Sequence, residues 1–407
     1  MDFTVEYTRE QEEFRKEVRG WLEENARYPS DWGDVPPETD HWSLEMKQWA
    51  LNFSRKLGEK GWLFPLWDKE YGGGGLTGDH DTVLKEEIGR YEIPESGRGE
   101  LQAGAIMVHG TDEQKKRFLK PILNGEVVCW QLFTEPAAGS DLASLTTRAE
   151  RDGDDFVITG QKVYVGDSFK PNWLWCLAVT DPDAPRHQNI GAFFMPADLP
   201  GISIADLNLV TQRGKRMVSM DGVRVSREYL IGDETRGWRV AQTTLELEHG
   251  AAGFLAERNS VVRDVIEYTK ETIRKGQPLS KDHFVQQAMV DNFIEAHIHR
   301  LLGLRNYWMF NNAQAVTYHG SQNSLLRKDF ALKAADRILR VLGPQALIND
   351  ERWGVLKKRV EHHQRDTLVN THPGGTLEVH KLIMARRLGI SRTQERAAPT
   401  QAPTQGR

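Results

Sequence analysis

The residues best suited to chemistry lie in 128–144, where an apolar run gives way to a loop of small side chains. The run ends at Thr134-Glu135-Pro136, and the segment 137–141, Ala-Ala-Gly-Ser-Asp, follows. Gly139 removes the side chain at the point of closest approach, and Ser140 adds a hydroxyl to exposed backbone N–H groups. The stretch predicts a buried strand and a loop that accepts an anionic or polar planar ligand. An ordinary strand-to-loop transition has the same composition, so this stretch alone leaves both interpretations open.

Other candidate sites are weaker. His362-His363 and His372, with Glu361 beside them, lack the spacing of a tetrahedral metal site, so no metal is predicted. The glycine run 72–75 is not followed by the Lys-Ser/Thr pair of a phosphate-binding loop. No Gly-x-Gly-x-x-Gly follows a predicted strand, which argues against a nicotinamide enzyme.

Bulk properties exclude several classes of protein. A chain of 407 residues predicts two or three domains with a sizeable core. A net charge of −5 with 27% charged residues lacks the basic excess of a nucleic-acid binder. Cys129 and Cys176 form no disulfide pattern, residues 1–6 lack the basic flank and apolar core typical of a signal peptide, and no apolar run approaches the ~18 residues that span a bilayer. We therefore expect a cytoplasmic protein with no nucleic-acid or membrane partner.

The chain before residue 126 has a helical pattern. Residues 8–25 open with a capping box, because Gln11 follows Thr8 by three positions. A second amphipathic helix is predicted from about Asp40 to Lys60. Residues 79–122 are also predicted to be helical, with another capping box at Thr111–Gln114, and Pro121 with Gly125 is expected to end the helical region.

From 126 to about 232 the apolar period shifts toward two residues, which predicts strands. Residues 156–160, 173–179 and 190–195 are strand-like and are bounded by Asp, Gly and Pro. Residues 148–155 predict a hairpin with Asp-Gly at its tip. The middle third is therefore expected to be a small antiparallel β-domain.

The helical period returns after Gly237-Trp238 and predicts a bundle. The expected helices are 238–274, 281–312, 323–342, 351–369 and 377–388. The last residues repeat Ala-Pro-Thr-Gln and predict a disordered tail. The predicted domains are a helical domain at 1–125, a β-domain at 126–235, a helical bundle at 236–390 and the tail at 391–407.

This order of elements, together with four sequence blocks, resembles the acyl-CoA dehydrogenase family over about residues 5–390. The blocks are 134–141 (Thr-Glu-Pro-Ala-Ala-Gly-Ser-Asp), 160–164 (Gly-Gln-Lys-Val-Tyr), 245–249 (Leu-Glu-Leu-Glu-His) and 374–380 (Gly-Gly-Thr-Leu-Glu-Val-His). The resemblance implies a mainly α fold: a helical domain, a small central antiparallel β-barrel domain and a C-terminal four-helix bundle.

The resemblance also implies FAD as cofactor and desaturation of an acyl-CoA thioester between its α and β carbons. A carboxylate would remove the α proton while the β hydrogen leaves as hydride to flavin N5. The implied cofactor-binding residues are Gln131, Phe133, Thr134, Gly139, Ser140, Tyr164, Val165, Gly166, Arg340, Gly343, Thr376 and Glu378. The implied substrate-binding residues are Ser140, Glu246, His249 and Gly375.

The position of the base departs from the commonest family pattern. Many members carry a glutamate directly before the Gly-Thr of the fourth block, and this chain has Gly374 there. A second subset of the family places the glutamate on the first bundle helix, where this chain has Glu248. We therefore predict that Glu248 is the base, and that the Gly374 backbone N–H donates to the thioester oxygen.

Other departures concern the flavin contacts and the assembly. Val165-Gly166 stands where a hydroxyl near N5 is usual, and His249 replaces the usual arginine. Thr272 and Lys275 replace the Arg and Phe that reach a neighbour's FAD, and Arg340–Pro344 replaces a common Gln-x-x-Gly-Gly contact. Similar departures occur in family branches that act on bulky or ring-bearing acyl groups, some of them heteromeric.

Several alternatives remain open on the sequence. The expected electron acceptor is an electron-transfer flavoprotein, and the expected assembly is a homodimer, a homotetramer or a heteromer. A second interpretation keeps the fold for a carrier-tethered dehydrogenase, a desulfinase-like enzyme or an oxidase. A third is a non-catalytic subunit of a heteromeric dehydrogenase.

Overall fold

The computed structural model describes residues 7–32, 39, 42–91, 93, 99–166, 168–211, 214–253 and 260–393. These residues form two compact units. The first unit contains the described residues up to Leu209 and those from Gly214 to Leu245, and the second contains Val210, Thr211 and those from Glu246 onward.

The N-terminal part of the first unit is helical. Its helices are α1 (Arg9–Asn25), α2 (Leu44–Glu59), α3 (Gly78–Ile88), α4 (Glu100–His109) and α5 (Asp112–Leu123). Both predicted capping boxes are confirmed, since Thr8 and Gln11 cap each other in α1 as Thr111 and Gln114 do in α5. Apolar side chains at helical spacing, such as Val18 and Leu22, are fully buried in the core.

Two expectations for these helices need correction. Residues 79–122 form three helices, and Pro121 does not end the last one, because α5 continues to Leu123. The second helix begins at Leu44 with Ser43 as its N-cap, later than the predicted start at Asp40, which lies outside the described residues.

The rest of the first unit is built on one sheet. Its strands are β1 (Cys129–Leu132), β2 (Arg148–Asp152), β3 (Asp155–Val165), β4 (Trp173–Val179), β5 (Ile190–Pro196), β6 (Ile202–Leu207), β7 (Lys215–Ser226) and β8 (Leu230–Ile231). The order is β6-β7-β3-β2-β4-β5-β8, and β1 pairs with β4. The predicted hairpin is confirmed, with Asp152 opposite Asp155, and most pairs are antiparallel, whereas β1–β4 and β2–β4 are parallel.

The second unit is largely helical. The helix α6 (Gly237–Glu248) begins in the first unit and ends in the second. The other helices of the second unit are α7 (Ser260–Glu271), α8 (His283–Asn311), α9 (His319–Leu342), α10 (Arg359–Val369) and α11 (Leu377–Arg387). The strands β9 (Ile273–Arg274) and β10 (Gln277–Pro278) form a short ladder at the predicted break. Its core includes Val265, Met289, Ile338 and Val360.

Two predicted bundle helices were too long. The helix expected at 238–274 ends at Glu248, because Gly250 and Gly253 adopt positive φ angles of 86° and 68°. The helix expected at 351–369 begins only at Arg359, after three residues in left-handed conformation, Leu356 to Lys358. Residues 394–407 of the predicted tail lie outside the described residues, and the predicted domain bounds stay a prediction.

The described helices do not include a membrane-spanning candidate, since none combines enough length with enough hydrophobicity to cross a bilayer.

Candidate active site

The loop at 134–141 is anchored by a buried ion pair beneath it. Glu135 Oε1 accepts a hydrogen bond from Lys162 Nζ at 2.8 Å, and both side chains are almost completely buried. The other oxygen, Oε2, accepts from the Thr146 N–H and hydroxyl at 2.6 and 2.7 Å, while Oε1 also accepts from the Thr147 N–H. Burial alone would raise the pKa of Glu135, but the Lys162 ammonium and these donors outweigh it and lower the pKa to about 2.

The segment beyond this anchor is open to solvent. Glu135 and Ala138 exchange backbone hydrogen bonds of 2.8 and 3.2 Å, which closes a tight turn. Pro136, Ala137, Gly139 and Ser140 are exposed, and a Cβ on Gly139 would meet nothing within 4 Å. The fold therefore presents a rigid backbone without bulky side chains in the place where the sequence predicts the ligand.

The nearby end of β3 carries an unusual aromatic residue. Tyr164 has a positive φ of 58° and is 60% exposed, at an irregularity in the β3–β7 pairing. A non-glycine residue in this region of backbone conformation is uncommon and often marks a functional site. Gly166 follows with φ of 86°, and a Cβ there would lie 2.6 Å from the Trp130 ring, so only glycine fits.

These features of the first unit fit a flavin. The turn offers backbone N–H groups and small hydroxyls to polar ring atoms, and an exposed aromatic ring offers a face for planar contact. The predicted cofactor residues Gln131, Phe133, Thr134, Gly139, Ser140, Tyr164, Val165 and Gly166 all belong to this unit. They would hold the isoalloxazine part of FAD.

The other four predicted cofactor residues lie in the second unit. Arg340 is exposed and pairs with Asp336 at 3.0 Å, and Gly343 follows the end of α9 with φ of 63°. Thr376 is the N-cap of α11, and Glu378 lies in its first turn. These contacts give the four residues local structural roles, and their contact with FAD stays a prediction.

The two family positions for the catalytic base converge in the second unit. An ideal Cβ built on Gly374 would lie 3.4 Å from Glu248 Oε1, although the two residues are far apart in sequence. Glu248 is the last residue of α6 and is partly buried, while Gly374 has φ of 63° in the loop before α11. A glutamate side chain on residue 374 would therefore begin beside the Glu248 carboxylate.

Neighbouring side chains hold the end of α6. Arg387 donates to both oxygens of Glu246, at 2.9 Å to Oε2, and to the Thr317 carbonyl at 2.8 Å. Both members of this ion pair are more than nine-tenths buried. The Glu246 carboxylate, predicted to bind substrate, is thus engaged by an arginine that the sequence did not single out, and its contact with substrate stays a prediction.

His249 and Gly375 adjoin a second histidine. The rings of His249 and His380 lie 4.7 Å apart edge to face, and a Cβ on Gly375 would approach both within 3.3 Å. His380 Nε2 donates to the Gly374 carbonyl at 2.9 Å. The sequence did not single out His380 or Lys328, which contacts the same loop. A histidine where the family's fourth block has glutamine, and one lysine on a long helix, do not by themselves indicate a site.

The two buried histidines are expected to make the protein sensitive to acid. Burial, with the nearby cations, lowers the pKa of His249 to about 3 and that of His380 to about 4. Because these values lie below the ordinary value of about 6.5, the unfolded chain binds protons first as the pH falls. We expect the free energy of unfolding to fall by about 1 kcal/mol per histidine between pH 7 and 5.5, measured from urea midpoints.

A pair of variants separates this effect from general acid denaturation. His380→Gln removes one titrating group and should reduce the loss between pH 7 and 5.5, whereas His283→Gln, at the exposed first residue of α8, should leave it unchanged. Equal pH dependence in all three proteins would contradict the prediction.

Comparisons with known proteins identify the family of this chain. Models of the acyl-CoA dehydrogenase N-terminal, middle and C-terminal domains match residues 8–126, 131–225 and 235–389. Acyl-CoA dehydrogenase IpdE1 of Mycolicibacterium smegmatis is 31% identical over 68% of this chain and 74% of its own. Its namesake from Mycobacterium tuberculosis is 29% identical over 94% of this chain and 98% of its own.

Solved structures give the same result. The Tcur3481-Tcur3483 steroid ACAD superposes with a TM-score of 0.75 at 26% identity, covering 97% of this chain and 100% of that one. A chain of the ChsE4-ChsE5 complex from Mycobacterium tuberculosis has a TM-score of 0.74 at 25% identity, covering 96% and 100%. The predicted fold is thereby confirmed, and this chain belongs to the acyl-CoA dehydrogenase family of flavoprotein oxidoreductases.

Proposed function

We propose that the chain is an FAD-dependent dehydrogenase that introduces a double bond between the α and β carbons of an acyl-CoA thioester. The observation that carries this proposal is the position of the Glu248 carboxylate, whose Oε1 lies 3.4 Å from where a Cβ on Gly374 would be. A carboxylate thus lies within reach of the space that a glutamate side chain on Gly374 would enter, and this supports Glu248 as the proposed base. This favours a catalytic chain over a non-catalytic subunit.

The predicted catalytic and substrate-binding residues each have a role in this proposed reaction. Glu248 accepts the α proton, and the Gly374 N–H donates to the thioester oxygen, where negative charge develops as the proton leaves. Ser140, Glu246, His249 and Gly375 are proposed to border the substrate. FAD, when bound, supplies the acceptor for the β hydride.

The proposed acyl group is bulky or ring-bearing. One structural relative is described as a steroid ACAD, and this chain covers its full length at 26% identity. The departures at Thr272, Lys275 and Arg340 from the common adenine contacts also match branches with such substrates.

The proposed assembly joins this chain to another chain of its family, with an electron-transfer flavoprotein as electron acceptor. The helix α8 exposes large apolar side chains, with Phe293 and Ile294 about half exposed and Leu301 and Trp308 more than half exposed. An apolar surface of this kind usually marks a protein interface. One structural relative is described as the ChsE4-ChsE5 complex, and another carries the double name Tcur3481-Tcur3483, so a heteromer is as well supported as a homomer.

The test is an anaerobic titration of the purified holoprotein, whose mass is first measured by sedimentation to give its assembly. Butanoyl-CoA, 2-methylpropanoyl-CoA and 3-cyclohexylpropanoyl-CoA serve as straight, branched and ring-bearing probes. We expect the ring-bearing ester to bleach the visible flavin band fastest, since a desaturated thioester forms as the flavin is reduced.

The control ester is 2,2-dimethylpropanoyl-CoA, which has no α hydrogen and so must leave the flavin oxidised. A protein that holds flavin but is bleached by none of the three probes would contradict the proposed reaction. Fastest bleaching by butanoyl-CoA would contradict only the substrate class.

A further inference from the structure

One buried lysine donates hydrogen bonds to the loop between α10 and α11. Lys328, on α9, is 2% exposed, and its Nζ donates to the carbonyl oxygens of Pro373, at 2.6 Å, and Gly375. A longer contact of 3.5 Å reaches the Thr371 carbonyl. An ammonium group has three donors and no acceptor, so three carbonyls around it satisfy it fully.

These contacts set the direction of the opposite peptide groups. A peptide is planar and trans, so the N–H of one residue points away from the carbonyl of the residue before it. Because the Pro373 carbonyl faces Lys328, the Gly374 N–H is directed away from Lys328. The Gly374 carbonyl is held by His380 Nε2 at 2.9 Å, which fixes the next peptide in the same way.

The loop needs such external support. Gly374 and Gly375 both have positive φ angles, 63° and 79°, and glycine has more backbone freedom than any other residue. Their carbonyls are not paired in a helix or a sheet, and α11 begins only at Leu377. Without the lysine, the two glycines could rotate and turn the N–H to another direction.

We propose that Lys328 is a positioning residue, which holds the Gly374 N–H in the direction required to donate to the thioester oxygen beside Glu248. This inference rests on the proposed function. Lys328 itself contacts neither substrate nor cofactor in this role and acts through the carbonyls of Pro373 and Gly375.

The surroundings of Lys328 provide a test that depends on pH. Burial, aided by Arg327 and opposed by Glu248, lowers its pKa to about 8. His249 and His380 also face it, and their pKa values of about 3 and 4 keep them neutral in this range. A cavity of about 90 Å³ adjoins Lys328, and Asp366 and His363 are among its other lining residues. This space can accept the larger guanidinium of an arginine, which stays charged at alkaline pH.

The experiment compares flavin bleaching by 3-cyclohexylpropanoyl-CoA in Lys328→Met, Lys328→Arg and Lys333→Met, each as holoprotein. Lys333 is a half-exposed lysine of the same helix paired with Asp329, so its replacement is the matched control. A misdirected donor costs about 10²-fold, so we expect Lys328→Met to bleach about 10²-fold more slowly and Lys333→Met to bleach like the wild type.

The direction of the N–H is measured separately, through the thioester carbonyl. In the Glu248→Gln background, the probe labelled with carbon-13 at the carbonyl should stay unreacted, and its infrared stretching frequency reports hydrogen bonding. Lys328→Met should shift this frequency toward the value of the thioester in an aprotic solvent, where its carbonyl accepts no hydrogen bond. Lys333→Met should leave the frequency unchanged. Deprotonation leaves Lys328 with two donors for three carbonyls, so the wild type should lose part of its bleaching rate above about pH 8, whereas Lys328→Arg should keep it.

The outcomes separate this inference from the proposed function. A wild type that none of the three probes bleaches contradicts the function. A wild type that bleaches, beside a Lys328→Met variant with the same rate and carbonyl frequency, overturns only the role of Lys328. If Lys328→Met does not fold, the alkaline profile decides, because a Lys328→Arg variant that loses rate above pH 8 like the wild type overturns the inference.

Discussion

Replacing Glu248 by Gln is expected to abolish bleaching of the flavin by acyl-CoA while leaving the flavin bound. A general base contributes about 10²- to 10⁴-fold to the rate of proton transfer, and an amide of the same shape cannot accept the α proton. The bleaching rate, measured under anaerobic conditions, should fall by that factor. The flavin content should not change, because the predicted contacts to the isoalloxazine belong to the first unit and Glu248 belongs to the second.

The matched control is Glu267→Gln, the same chemical change at a half-exposed position of α7 that pairs with Lys270. It should bleach like the wild type. A Glu248→Gln variant that bleaches at the wild-type rate would show that the base lies elsewhere.

A transplanted base gives a stricter test of the same geometry. Gly374→Glu introduces a carboxylate at the commoner family position, and its Cβ would lie 3.4 Å from the present position of Glu248 Oε1. In a Glu248→Ala background we expect Gly374→Glu to restore part of the lost bleaching rate. The restoration should be incomplete, because a glutamate at φ of 63° costs about 1–2 kcal/mol. No restoration in a folded, flavin-bound double variant would contradict convergence of the two positions.

Local sequence signals predicted the parts of the fold that local physics determines. The capping boxes at Thr8 and Thr111 need only residues three positions apart, and the hairpin needs only Asp152-Gly153 between two alternating runs. The errors arose where a single proline or glycine was given the wrong weight against the apolar period. Pro121 lies inside α5, and glycines divide the long predicted helix after Glu248.

The candidate site divides in the same way. The four motif blocks led to the turn at 134–141, called the flavin turn here because it is the proposed flavin site, and to Glu248 and Gly374, because each block is a short contiguous stretch. Lys328 and Arg387 could not be found from the sequence, since a lysine or an arginine on a helix is usually solvated and only tertiary contacts bury it. The short distance between Glu248 and Gly374 also arises only when the second unit folds, so it could not be predicted from the sequence.

The ion pair beneath the flavin turn leads to the second large expected effect. Replacing Lys162 by Met should lower the free energy of unfolding by about 3–5 kcal/mol, because it leaves the Glu135 carboxylate buried without its cation. Glu135 also closes the turn to Ala138, so the flavin content of the purified variant should fall with its stability. Urea denaturation and the visible absorption spectrum measure the two effects.

The direction in which the free energy of unfolding changes with pH provides an independent check of this ion pair. The pKa of Glu135 in the folded protein is about 2, below the ordinary value of about 4.3 for glutamate. The pair therefore stabilises the fold above about pH 4.3, and this contribution is lost as the pH falls toward 2. In Lys162→Met the desolvated carboxylate lacks its cation, so its pKa should rise and mild acid should stabilise this variant relative to the wild type.

A double variant distinguishes a buried unpaired charge from simple loss of packing. Combining Lys162→Met with Glu135→Gln removes both charges, so the double variant should be more stable than Lys162→Met alone. Lys170→Met, at an exposed lysine before β4, is the control and should leave both stability and flavin content unchanged. If the double variant were less stable than Lys162→Met, the carboxylate would contribute through its hydrogen bonds to Thr146 and Thr147, and the ion pair would not be what anchors the flavin turn.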